Sequence, residues 1–262
     1  ALGRRWNVTW SSARRERFRE YYRGWQSRLK ELDFDQLSQQ ARIDYVLMNH
    51  TLRHSLTLID REAKLWSESA PVVPFGGDVF ALVDARRRME KVDPQSSALA
   101  LVAITKKVEQ ISKDVIAALP SADSTSPRRD EGARSAESGP SPESVFPGTL
   151  PPRIAEPLKV SKVVAHRSAE IISSLKSTLK DWYDFYSGYD PLFTWWARDP
   201  YRRADSVMTA YHKTLRERIV GFRPGQPEPI IGDPIGRDAI IADLKDEVIA
   251  YTPEDLVAIA ER

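Results

Sequence analysis

The chain has 262 residues, 41% of them hydrophobic, which is enough for a large single domain or two smaller ones around a buried core. Its 39 Lys and Arg nearly balance 37 Asp and Glu, so no global charge argues for nucleic acid or an anionic membrane as a partner. The lack of cysteine excludes disulfides, thiolate metal sites and cysteine nucleophiles, and no apolar run approaches the roughly 20 residues needed to span a bilayer.

From Ser11 to Lys30, Phe18, Tyr21, Tyr22, Trp25 and Leu29 recur at helical spacing among arginines and predict an amphipathic helix with a solvated basic face. Asp35 or Ser38 can cap the next helix, which is expected to run to about Trp66 with Ile43, Leu47, His54 and Leu58 near one face. The stretch "SAPVVPFGGD" breaks the pattern, and Asp78 is placed to cap a short helix through Met89. A third long pattern begins at Ser96 or Ser97 and ends at Leu119, with Leu101, Ile104, Val108, Ile111 and Val115 as its stripe.

Residues 120–152 are rich in Ser, Pro, Gly and charge and read as a flexible linker or exposed insertion. They divide a helical region, 1–119, from a second one, 153–262. In the second, a helix is expected from about Leu158 to Tyr186, and another after "ARDPYRR" with Val207, Tyr211, Leu215 and Ile219. Strand-like alternation is nearly absent, so the predicted fold class is all-α, a long-helix assembly.

Chemistry is sparse. His50 and His54 stand four apart on a predicted helix, the spacing at which two imidazoles share a metal. A zinc-peptidase helix carries a Glu directly after its first His, where this chain has Thr51, and no third ligand is apparent. The pair is therefore read as ordinary partly buried histidines, and no metal is assigned to this chain. The "GDPIGRDAIIADL" segment reads as a turn leading into a helix with Ile240, Ile241, Leu244 and Val248 inward, with Arg237 the residue to follow should the loop contact a ligand. Nine aromatics lie between Trp182 and Tyr201. They are read as core at a helix junction, although turns forced at Asp190-Pro191 and Asp199-Pro200 would put some at a cleft edge. Asp199, Arg202 and Arg203 are expected to pair around the second turn.

The stretches "QARIDYVLMNHTLR", "WWARDPYRRADSVMTAYHKTLRERI" and "IIGDPIGRDAIIADLKDEVIAYTPEDLVAIAER" resemble the amino-terminal part of a mainly bacterial family catalogued as domain of unknown function 885. The Pro-Ile-Gly-Arg segment followed by Tyr-Thr-Pro-Glu is the most specific part. The resemblance implies a largely helical, zincin-like metallopeptidase whose zinc-binding His-Glu-x-x-His helix lies downstream of the residues matched here. It also implies an exported or periplasmic location.

No zinc ligand or general base carries over, because no position here matches those motifs. Thr252, Pro253 and Asp255 open a helix with Leu256, Ile259 and Ala260 inward, and it has about ten residues before the sequence ends. We therefore expect it to belong to a longer helix, in a protein whose zinc-bearing catalytic segment is this chain's partner and whose substrate is a peptide. Arg237, Tyr251, Trp195 and Trp196 are the candidates for lining the cleft. The competing expectation is a non-catalytic helical scaffold or binding module for a protein or glycan. A third, nucleic-acid binding through Arg4, Arg5, Arg14, Arg15 and Arg17, rests on local charge alone.

Overall fold

Short polar side chains set the helix starts. In the computed structural model, which describes residues 8–119 and 158–262, Ser11 accepts from the Arg14 amide to begin α1, Ser12–Lys30. Asp33 caps a 3₁₀ turn, Phe34–Gln36, and Ser38 accepts from the Ala41 amide to open α2, Gln39–Ser69. After the Pro/Gly break come α3, Gly76–Arg87, and α4, Pro94–Ala117, the latter opened by Asp93 with a proline at its first position. Ser161 caps α5, Lys162–Ser187, and Asp190 caps α6, Pro191–Thr214. The chain then winds through a π-helical segment, Leu215–Val220, which stops at Gly221, where φ is 90°. Two short helices follow, α7, Arg237–Asp246, and α8, Pro253–Ala260. Among the described residues the fold is all-α, without strand. The segment 120–152, together with Arg4 and Arg5, lies outside the described residues.

The core is built where α4 and α6 lie along one another and α5 packs on both α6 and the π-helical segment. The α4 stripe is buried as its spacing predicts: Leu101, Ile104, Val108, Ile111 and Val115 all face inward. They meet Ile171, Ile172, Leu175 and Leu179 of α5 and Phe193, Ala197, Ala204 and Met208 of α6 in one cluster. Tyr211, fully buried, donates its hydroxyl to the Val72 carbonyl at 2.8 Å and so ties α6 to the loop before α3. At Gly76 the backbone passes close to the Trp66 indole. The α1–α2 hairpin lies outside this core and touches it mainly through α2 against α5.

Several local expectations are revised. Asp78 is in the first turn of α3 rather than at its cap, and its carboxylate is taken by Lys107 of α4 at 2.7 Å. Pro200 makes no turn but sits inside α6. The helix runs through it with Ala197 and Ala204, on either side in sequence, both buried in the core, and this packing offsets the missing N–H and the ring clash. Arg203 accordingly reaches across to Glu109 of α4 instead of pairing around a turn.

On α2 the buried apolar positions are Leu52 and Ile59, while Ile43, Leu47 and Leu58 of the expected face are exposed. The helix has two apolar stripes, and the other one is covered within the hairpin, where α1 is the main packing partner of α2. Neither α7 nor α8 has a buried residue, so Ile240, Val248, Leu256 and Ile259 are not inward. Val248 instead leaves α7 in a left-handed conformation, with φ of 58°.

The basic face of α1 is engaged within the chain. Arg14 and Arg15 converge on Glu62, Arg19 bonds Asp60 and Glu16, and Arg17 lies 3.7 Å from Asp84. These contacts draw on the same cations that a nucleic-acid reading would need for phosphates.

Candidate functional site

The arm from residue 223 to 262 is held by charge rather than by burial. Arg167 of α5 is nearly buried, and it donates through Nε and NH2 to both oxygens of Asp233, at 3.0 and 2.6 Å, and through NH1 to Glu68 at 2.7 Å. Bonding to Asp233 raises the guanidinium above its ordinary range. The "GDPIG" loop is thereby pinned where α2 ends and α5 begins. In the second turn of α7, Asp243 accepts two bonds from Arg61 of α2, at 2.9 and 2.7 Å, which hold its carboxyl below the usual carboxylate range. Asp246 completes the line, accepting His54 Nδ1 contact at 2.5 Å while its backbone carbonyl meets His50 Nε2 at 2.8 Å.

Arg237 opens α7 behind Gly236, whose φ of 88° favours glycine. Its guanidinium points along the arm to Glu254 of α8, at 2.8 and 3.2 Å. Glu254 is held below its ordinary value by that bond. Thr252 and Asp255 form the reciprocal cap expected from sequence, with Thr252 Oγ1 accepting from the Asp255 amide and Asp255 accepting from the Thr252 amide. Tyr251, just before this cap, is exposed.

Trp195 and Trp196 are elsewhere, on the first turns of α6, with their rings edge-to-face at 4.9 Å. Trp195 is 72% exposed. It lines an open cleft of about 690 Å³ with Tyr189, Thr194, Arg198, Asp199 and Arg202. Trp196, Arg237 and Tyr251 are not among that cleft's walls. Of the nine aromatics, Trp182 meets Tyr186 and Phe193 edge-to-face in a buried group, and Tyr183 stacks on Tyr201 at 4.0 Å. Burial pushes the Tyr201 hydroxyl up to about 12. The four expected cleft residues thus fall into two places, the arm and the α5–α6 corner.

Among the charged residues of this region, sequence reading singled out Arg237 and passed over Arg61, Arg167, Asp233, Asp243 and Asp246. The only local signal is that Asp243 and Asp246, three apart on α7, oppose His50, His54 and Arg61 at helical spacings on α2. No family model matches the chain, and searches of curated proteins and of solved structures give no significant match.

Proposed function

We propose that this chain is the amino-terminal helical lobe of a zinc-metallopeptidase-like protein, forming one wall of a peptide cleft and pairing with a catalytic segment outside these residues. The observation that carries the reading is the solvent exposure of α8: Leu256, Val257 and Ile259 are 36%, 56% and 52% exposed, although the helix is capped and well formed. An apolar helix face without cover is what a helical partner would bury. It falls in the stretch of sequence whose resemblance to the family is most specific.

The chain has no His-Glu-x-x-His, so its residues do not fit the zinc site the family implies, and no catalytic step is assigned to them. What a lobe of this kind contributes is the placing of substrate and the exclusion of water. The arm fits that role because the ion-paired Asp233 and Asp243, with the hydrogen-bonded Asp246, anchor the stretch before and along α7, and Arg237 links α7 to α8 through Glu254. Native mass spectrometry of the protein from its source, followed by denaturation, tests the proposal. Release of a second polypeptide bearing His-Glu-x-x-His supports it, and a single 29.7 kDa species with no such sequence overturns it.

A second reading has its own observation. Tyr189 and Trp195 stand exposed on the walls of the α5–α6 cleft beside Arg198 and Arg202, a surface suited to a glycan or protein partner without catalysis. Binding to a glycan or peptide array that disappears in Trp195→Ala would favour it.

A further inference from the structure

Two clefts meet at Tyr189, at the end of the bundle where α3 gives way to α4 and α5 to α6. The one of about 690 Å³ has Trp195, Arg198 and Arg202 in its walls, and the other, of about 570 Å³, is walled by Met89, Val92 and Phe185. Met89 leaves α3 with φ of 56°, a left-handed position that glycine normally fills at a helix end, and it is 88% exposed. Neither the turn nor burial accounts for a methionine here. Its soft, unbranched side chain is suited to moulding itself around a partner.

Charge is uneven across the two clefts. Glu90 is bonded to Arg88 at 2.5 Å, and Asp190 accepts from the Leu192 and Phe193 amides. Arg86 is held by the Asp181 carbonyl and lies over the Phe185 ring. Among the described residues, Lys91, Arg198 and Arg202 take part in no ion pair, and of the acids in these walls Asp199 alone is left likewise. Arg198 and Arg202 stand one turn apart on α6, so both present a guanidinium to the same cleft.

We infer that the adjoining clefts bind an acidic peptide segment of a partner protein, which seats a large apolar side chain between Met89 and Phe185 and lays its carboxylates against Arg198 and Arg202. Charge complementarity fixes the sign of the occupant. The apolar walls fix its class. Met89, Val92 and Phe185 offer a glycan's hydroxyls no partner, whereas they cover an aliphatic or aromatic side chain. Tyrosine, tryptophan and arginine are also the side chains that carry most of the energy at protein interfaces. The site rests on the non-catalytic reading of the α5–α6 cleft and gives its partner a chemistry.

An array of fluorescein-labelled peptides, each with a Phe or Leu followed by a run of Asp or Glu, tests the site on the 262-residue chain beside amide counterparts carrying Asn and Gln. Acidic peptides should bind and their amide counterparts should not, with affinity that falls as salt rises. The double variant Arg198→Gln/Arg202→Gln and the single variant Trp195→Ala should each weaken binding by about tenfold or more at unchanged Tm. Met89→Gly should weaken it severalfold while leaving Tm no lower, since glycine is at ease at that φ. Equal binding of acidic and amide peptides, or binding of glycans but no peptide, would overturn the acidic-peptide site. The broader reading of the cleft would survive either result so long as Trp195→Ala abolished the binding seen. If no peptide or glycan bound in a way that needs Trp195, both would fall.

Discussion

Arg61 and Asp243 form a two-pronged pair across the α2–α7 contact, with NH1 donating to Oδ2 at 2.9 Å and NH2 to Oδ1 at 2.7 Å. Since α7 has no buried residue, this pair and its neighbours carry the docking that apolar contact would otherwise provide. A partly exposed pair contributes about 0.2–1 kcal/mol. Arg61→Ala should therefore speed amide exchange in residues 237–246 by up to about fivefold while leaving the global Tm in place. Acid should act in the same direction. The Asp243 carboxyl is held below its ordinary range by Arg61, so its contribution is present above the unfolded value of roughly 3.9 and is lost as pH falls through the folded one. Exchange that responds to neither change would mean that the arm is held by other contacts.

The buried hydroxyl of Tyr211 gives a contrasting case. Its single bond to the Val72 carbonyl joins α6 to the loop between α2 and α3, deep in the core, and burial pushes the phenol well above its ordinary pKa. Tyr211→Phe keeps the ring and leaves the carbonyl without that partner, which should cost about 1–3 kcal/mol. Denaturant unfolding measures it, and an unchanged midpoint would mean that water or a shifted donor replaces the hydroxyl.

Gly76 and Gly77 form an internally controlled pair at the start of α3. A Cβ on Gly76 would lie 2.6 Å from Trp66 Cη2 and 3.6 Å from Leu175 Cδ1, whereas one on Gly77 would meet nothing within 4 Å. The indole is itself packed against Phe80, with ring centroids 5.3 Å apart, and has little room to move. Gly76→Ala should destabilise by about 1–3 kcal/mol, and Gly77→Ala should be neutral or stabilising by up to about 1 kcal/mol. Equal midpoints for the two variants would show that Trp66 gives way.

What was legible in the sequence follows from how each side chain gets its environment. Leu101 through Val115 are buried as their spacing indicates, because α4 has one apolar stripe and one place to put it. On α2 the pattern contains two stripes, and spacing could not tell that Leu52 and Ile59 would win over Ile43 and Leu47. The caps at Ser38 and Thr252 were readable since donor and acceptor are three residues apart. Asp246 meets His54 across 192 residues, a closeness that only the docking of the arm creates. For α7 and α8, periodicity announced an apolar face correctly but said nothing about whether these residues provide its cover.

His212 on α6 should make the fold sensitive to mild acid. Burial lowers its pKa most, Arg216 and Lys176 lower it further, and Glu170 opposes them. The folded pKa is thus below the unfolded value, about 6.5, so the unfolded chain binds the proton more readily. Stability is full above that value and declines as pH falls below it towards the folded pKa. The Tm should drop between pH 7.5 and 5.5, and His212→Gln should flatten the decline. An identical slope in the variant would assign the effect to another group.

Arg237 separates the arm's own stability from its proposed use. Its pair with Glu254 is solvent-exposed and joins two short helices that have no fully buried residue, so Arg237→Ala should leave the thermal midpoint of the chain unchanged. If the lobe serves a peptidase, the same change should lower peptide turnover of the whole assembly, because the guanidinium stands at the start of α7, held in place by the Asp233 and Asp243 anchors on either side. Glu254→Gln supplies the control: it loosens Arg237 without removing it, and should lower turnover less than the alanine variant does. Turnover equal to wild type in Arg237→Ala would remove the residue from the cleft, and a fall in the thermal midpoint would instead make it a structural strut between α7 and α8.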